Sequence, residues 1–214
     1  MTKRLKTLYS LVKAGGVFAD VGCDHGFVAK HALDSGDFES VIISDISKPS
    51  LEKAIKLLES YGSKAKAYHT DGVDAFDGLA NVIFIAGMGG EEICQILKRI
   101  KTLPRQFVLS PQKNTKKVRK TLLELGYKIE SDFTFYDKKY YDALSATKGT
   151  DSYTDIELIF GRDNLKNRSE DFLNKLKLDA KILNQVIENQ NVSITERESA
   201  SEKLKLINGV LYEN

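Results

Sequence analysis

The sequence predicts an α/β protein: a Rossmann-like sheet of seven strands, parallel until a final antiparallel pair, followed by an antiparallel two-helix coiled-coil hairpin. Three observations predict it. Apolar runs of strand length alternate with longer segments of helical period, the pattern of a sheet covered on both faces. After about residue 127 this alternation stops and two extended runs follow with no convincing helix between them. From Asp163 onward strand signals vanish, and Phe172, Leu176, Ala180, Leu183 and Ile187 recur at helical spacing, as do Ala200, Leu204, Ile207 and Leu211.

In chain order, an opening helix is expected over Thr2 to Lys13, then a strand at Val17 to Val21 that turns through Gly22 to Gly26 into a helix reaching Leu33. The second strand is Ser40 to Ser44. Ser47 is the N-cap of a helix opened by Pro49 and ended before Gly62, with Leu51, Ile55 and Leu58 on one face. Strands at Ala65 to His69 and Val82 to Ala86 follow, then a helix at Glu91 to Ile100, a strand at Phe107 to Leu109 and a helix at Thr115 to Leu125. The closing strands are expected at Lys128 to Tyr136 and Asp155 to Phe160, and the hairpin turn at Asn189 to Ser193.

With 214 residues, 42% of them apolar and 29% charged, the chain suits one main core with a small appendage, divided here as residues 1–162 and 163–214. No apolar run approaches the roughly 20 residues of a membrane span, and the start lacks a hydrophobic stretch with a cleavage site. A cytoplasmic location, no membrane contact and a monomer are expected. Cys23 and Cys94, 71 positions apart, have neither zinc-site nor redox-motif spacing, so neither metal nor disulfide is expected.

The net charge of +2 conceals an uneven distribution. Between Lys98 and Lys128 lie ten basic residues and one acid, Glu124, a segment suited to nucleic-acid phosphates. The hairpin, with eight basic and nine acidic residues, is nearly neutral.

Candidate site residues gather where strands end. Asp20-Val-Gly-Cys-Asp-His-Gly26 follows the first strand, and Gly22 permits close backbone approach to a ligand. The motif lacks G-x-G-x-x-G, so a dinucleotide pyrophosphate fits poorly. A zwitterionic amino-acid end, as in S-adenosyl-L-methionine, fits better, with Asp20 facing an ammonium. Asp45, with Ile46 beside it, ends the second strand 25 residues after Asp20, where an acid can accept both hydroxyls of a ribose. Asp71 and Gly72 follow the third strand, placed for an adenine amine. Ala86, Gly87, Met88 and Gly89 form a loop after the fourth. Each has a plainer role open to it: a glycine turn, a helix cap at Asp24 or Asp45, or an Asp-Gly turn.

The Asp-His motif at 20–26 together with the Gly-Met-Gly-Gly loop at 87–90 resembles the TrmK family, the bacterial tRNA (adenine-22-N1)-methyltransferases, over nearly the whole chain. The resemblance implies a class I methyltransferase domain, S-adenosyl-L-methionine as cofactor and tRNA as substrate. Where related members read Asp-(Ile/Val)-Gly-Ser-Asp-His-Ala-Tyr-Leu-Pro, this chain keeps Asp20, Gly22, Asp24 and His25 but has Cys23, Gly26, Phe27, Val28 and Ala29. The family's Leu-Gln-Pro-Asn stands here as Leu109-Ser110-Pro111-Gln112.

For methylation at adenine N1, Asp24 is the candidate to stabilise the cationic product or take an N6 proton, and His25 to orient the loop or base. Phe27 is the candidate base contact by proximity, although core packing is its ordinary role. His31 and His69 are expected to be structural. Other readings stay open: a methyltransferase for another RNA site or a small molecule, a non-catalytic RNA-binding protein with a nucleotide pocket, and a nicotinamide oxidoreductase.

Overall fold

A computed structural model describes residues 1–212. One sheet of seven strands organises it, namely β1 (Val17–Val21), β2 (Ser40–Asp45), β3 (Ala65–His69), β4 (Val82–Ala86), β5 (Gln106–Ser110), β6 (Tyr127–Asp137) and β7 (Lys139–Lys148), in the order β3-β2-β1-β4-β5-β7-β6. The first five strands are parallel, and β7 enters antiparallel between β5 and β6.

Because side chains alternate along a strand, the central strands feed two cores. Ala19, Ile42, Ile83, Ile85, Phe107 and Leu109 point to one face, where α4 (Gly90–Arg99) and α5 (Thr115–Glu124) cover them with Ile93, Leu97, Val118 and Leu122. Phe18, Val41, Ile43, Phe84 and Val108 point to the other, beneath α1 (Lys3–Tyr9), α2 (Phe27–Asp34) and α3 (Lys48–Leu58). All parallel strands therefore end on one edge. Between β3 and β4 the chain makes only a short 3₁₀ turn at Asp74–Phe76.

Two differences from expectation go beyond a one-residue shift of a boundary. The opening helix stops at Tyr9 rather than Lys13. More substantially, Asp155–Phe160 is a helix, α6, and the last strand is β7 at Lys139–Lys148. The apolar, β-branched run Ile-Glu-Leu-Ile-Phe suggests a strand, but a capping box overrides it. The Thr154 hydroxyl accepts from the Glu157 amide, and the Glu157 carboxylate accepts from the Thr154 amide at 2.7 Å. The final strand pair is antiparallel as expected, with a different second member.

Helix α7 (Arg162–Asn167) leads to the hairpin of α8 (Glu170–Glu188) and α9 (Ile194–Tyr212). Phe160, Phe172, Leu176, Ile207 and Val210 form its own apolar cluster. Where the hairpin meets the sheet, Arg119 of α5 grips Asp132 of β6 through three contacts of 2.8 to 3.0 Å, with both residues 1% exposed. Arg119 also donates to the carbonyls of Leu158 and Ile159, fastening α6 to the sheet. Gly161 sits against this pair at φ +89°, where a Cβ would lie 2.7 Å from Asp132 Oδ1, so glycine is required there.

No helix among the described residues is long and apolar enough to cross a membrane.

Candidate active site

The loops at the carboxyl ends of β1 to β4 form one connected surface. The Gly22 and Cys23 amides both donate to the Ser44 carbonyl, at 2.8 and 3.1 Å, joining the first loop to β2. The Ser44 hydroxyl donates to the Gly72 carbonyl at 3.1 Å, joining β2 to the loop after β3. Gly22, at φ +70°, carries the Met88 methyl directly over it; a Cβ would lie 2.4 Å from Met88 Cε. The sequence-selected positions Asp20, Gly22, Asp45, Gly72 and Met88 thus converge on one edge.

Asp20 is the most informative of them. It is 4% exposed, and Oδ2 has no hydrogen-bond partner. Its carboxylate accepts only the Ala29 amide in the first turn of α2, and burial pushes its pKa up to about 7, with Asp45 and Asp24 adding to the rise. A buried carboxylate with a free oxygen and no cation is incomplete by itself. An ammonium group would supply the missing charge and donor.

Asp45 uses one lone pair on each oxygen locally, Oδ1 accepting the Ser47 amide at 2.8 Å and Oδ2 the Asp24 amide at 3.0 Å. Both oxygens keep capacity for hydroxyl donors. Ile46 beside it is exposed, and its carbonyl meets His69 Nε2 at 2.9 Å, a structural role for that histidine. His31 likewise packs edge-on against Tyr9. Asp71 is already engaged: Arg99 donates to its carboxylate at 3.3 Å and to its carbonyl, and also pairs with Asp74.

Asp24 does not cap α2. The N-cap is Gly26, which has no side chain to offer, while Asp24 adopts φ +47° with its carboxylate turned outward and 3.7 Å from His25 Nε2. His25 stacks on Phe27, with centroids 5.7 Å apart. Phe27 is not core: at the first position of α2 it remains 49% exposed. Asp24, His25 and Phe27 therefore form a small exposed polar and aromatic rim beside the buried Asp20. The Cys23 thiol is buried, and burial pushes its pKa up, leaving it inert beside this rim.

Ala86, Gly87, Met88 and Gly89 lie where β4 ends, half-buried and laced to the loop after β5. The Gln112 amide donates to the Met88 carbonyl at 3.0 Å, and Gln112 Nε2 to the Gly87 carbonyl at 2.5 Å. Gln112 thus holds the glycine loop in place. Of the Gly-Met-Gly-Gly run, Gly90 serves packing, since a Cβ there would lie 2.4 Å from the Lys113 carbonyl oxygen.

The residues fit S-adenosyl-L-methionine. Asp20 has the unpaired oxygen that an ammonium would need, and Asp45 the acceptors that a ribose would need. Among the described residues there is no group of three His, Cys, Asp or Glu side chains arranged to hold a metal ion.

The basic segment does not form one face. Arg119 is buried against Asp132, and Lys117 pairs with Glu91. Arg105 binds the carbonyls of Lys13 to Gly15 just before β1, and Lys128 pairs in register with Thr147, so both sit at the opposite edge of the sheet.

A family model described as a methyltransferase domain matches residues 1–144. A candidate tRNA methyltransferase of Mycoplasma pneumoniae is 31% identical over 173 residues, 75% of this chain and 79% of that protein. The tRNA (adenine(22)-N(1))-methyltransferase of Bacillus subtilis is 29% identical over 156 residues, 70% of this chain and 66% of that protein. A Streptococcus pneumoniae protein, a candidate tRNA (m1A22) methyltransferase solved in complex with S-adenosyl-L-methionine, superposes with a TM-score of 0.89 at 26% identity, covering 99% of this chain and 100% of that one. The chain belongs to the methyltransferase-domain family and, within it, to the TrmK family.

Proposed function

We infer that the protein is an S-adenosyl-L-methionine-dependent tRNA methyltransferase that forms N1-methyladenosine at adenine 22. The carrying observation is the buried, half-satisfied Asp20 at the head of the β1 loop, joined to Asp45 and the Gly87–Gly89 loop in a chain whose relatives bear that activity. Bound there, S-adenosyl-L-methionine supplies an electrophilic methyl group. Adenine N1 offers a lone pair and carries no proton, so attack needs no base, but the methylated ring is cationic. Asp24, outward-facing beside His25, is read as the carboxylate that stabilises this charge or accepts the N6 proton; His25 and Phe27 orient the base. N1 is hidden in Watson-Crick pairing, so the target must be unpaired or extruded.

Residues 1–162 are read as carrying cofactor and chemistry, and residues 163–214 as a buttressing hairpin. Lys113, beside Gly90, and Lys116, in the first turn of α5, are the members of the basic segment assigned to tRNA phosphates. The enzyme is read as a cytoplasmic monomer.

The test is direct. The protein is incubated with S-adenosyl-L-methionine and unmodified tRNA, and the digested RNA is searched by mass spectrometry. N1-methyladenosine at position 22 is expected; intact cofactor binding with no such product would overturn the substrate assignment.

A further inference from the structure

We propose that the β6–β7 turn and the start of α1 form a platform for single-stranded RNA, holding nucleotides that flank the target adenine. The proposal rests on the reading of the enzyme as a tRNA methyltransferase and extends it to a surface remote in sequence from Lys98 to Lys128.

Placement is the first argument. Leu109 of β5 is in register with Leu144 of β7, so Lys139, five residues further along an antiparallel strand, lies about 16 Å beyond that row. The turn therefore overhangs the edge on which Asp20, Asp24 and the Gly87–Gly89 loop sit. Helix α1 braces it there. The Arg4 amide donates to Asp137 Oδ2 at 2.8 Å, Lys3 Nζ to the Tyr136 carbonyl at 3.1 Å, and the Arg4 guanidinium lies 4.7 Å from the Tyr141 ring centre. Arg4 also reaches back to the glycine loop: a Cβ on Gly87 would be 3.4 Å from one of its terminal nitrogens. The overhang and the catalytic loop are thus physically continuous.

Chemistry is the second. Lys3, Lys6, Lys138 and Lys139 are exposed, and among the described residues none makes an ion pair, unlike Lys117 in the basic segment. The turn's one acid, Asp137, is engaged by the Arg4 amide. Tyr136 is 44% exposed, with Tyr140 at 5.0 Å between ring centres. Cations that track a phosphate backbone, interleaved with exposed aromatic faces on which bases stack, are what proteins use for single-stranded nucleic acid. Near Gly87, Arg4 Nε and Ser110 Oγ are buried without hydrogen-bond partners.

The test uses the full-length protein with Lys138→Gln/Lys139→Gln and, separately, Tyr136→Ala. Binding to tRNA and to a single-stranded oligoadenylate is measured across a salt series, alongside cofactor affinity and thermal unfolding. The double variant should weaken tRNA binding about tenfold or more near 0.1 M salt and lower the log-log salt slope by between one and two. Tyr136→Ala should weaken oligoadenylate binding about tenfold with little change in the slope. Cofactor affinity and unfolding temperature should match the parent. Parental RNA affinity in both variants, with methylation of tRNA intact, overturns the platform while leaving the enzymatic reading standing. Conversely, oligoadenylate binding that depends on these residues in a protein that fails to methylate tRNA would uphold the platform and overturn the enzymatic reading.

Discussion

The Asp163 carboxylate accepts a hydrogen bond from the backbone amide of Asp132 at 2.8 Å, and it is one of a series. The Thr134 amide donates to Asn164 Oδ1 at 2.8 Å and the Tyr136 amide to Asp171 Oδ2 at 2.9 Å. These three amides alternate along β6, the strand that ends the sheet. An edge strand exposes a row of unpaired amides that invites another strand to add. Side chains at the entrance to the hairpin take up that row, so the C-terminal segment protects the edge as well as extending from it.

Asn164 is the keystone of this arrangement, 2% exposed, accepting from Thr134 N and donating to Thr134 Oγ1 and the Phe160 carbonyl. Asn164→Leu takes this partner from the Thr134 amide and the Phe160 carbonyl, while Thr134 Oγ1 keeps its bond to Asp142 Oδ1 at 2.7 Å. Urea unfolding should show a loss of about 2–4 kcal/mol, since each orphaned buried polar group costs on the order of 1–3 kcal/mol with partial relaxation. A loss below about 0.5 kcal/mol would mean that water replaces the side chain.

Arg119 and Asp132 make the second fastening, and their burial sets its sign. An intact buried pair is weak support for stability, but removing one partner leaves an uncompensated charge. Asp132→Asn should destabilise by about 3–5 kcal/mol in denaturant titration. Replacing both residues by apolar ones of similar volume should recover much of that loss. If the single and double variants unfold alike, the pair is not a charge-compensated unit.

Much of this architecture is legible in the sequence because parallel strands buried on both faces read as unbroken runs such as Val82-Ile-Phe-Ile-Ala86. The exception is β7, whose Lys-Tyr-Tyr-Asp-Ala-Leu-Ser-Ala-Thr-Lys mixes polar and apolar residues without clean alternation. Its partners β5 and β6 are distant in sequence, and their pairing decides it. Thr154 and Glu157 carried a readable S/T-x-x-E signal for α6 that the apolar run obscured. At the site, Asp20 and Asp45 stand out through their spacing after strands. Gln112, Arg99 and Arg4 do not, because each acts through a contact made across more than 20 residues of chain.

If the Asp20 carboxylate meets the cofactor's ammonium, cofactor binding depends on pH. Its pKa, raised by burial to about 7 from an ordinary carboxylate value near 4, means the native state binds more protons than the unfolded state between about pH 4 and 7. Stability of the free protein therefore falls as pH rises through that window and levels off above it. An ammonium ligand needs the ionised form, so affinity for S-adenosyl-L-methionine should rise with pH toward a plateau just above 7. Asp20→Asn should flatten both profiles and weaken binding throughout. Calorimetric titration from pH 5.5 to 8.5 checks this, and an unchanged pH profile in the variant would assign the dependence elsewhere.

The proposed role of Asp24 predicts a separation of chemistry from binding. Its amide anchors to Asp45 while its carboxylate faces outward, so the side chain can change without disturbing the cofactor loop. Asn tolerates the left-handed backbone at φ +47°, making Asp24→Asn the clean substitution. Removing a preorganised charge aimed at a developing one typically costs about 100- to 1,000-fold in rate. With tRNA saturating, kcat should fall by about that factor, while cofactor affinity measured by calorimetry stays within about twofold of the parent. Parallel losses in both would make Asp24 a loop-building residue, and the charge of the methylated base would need another carboxylate to meet it.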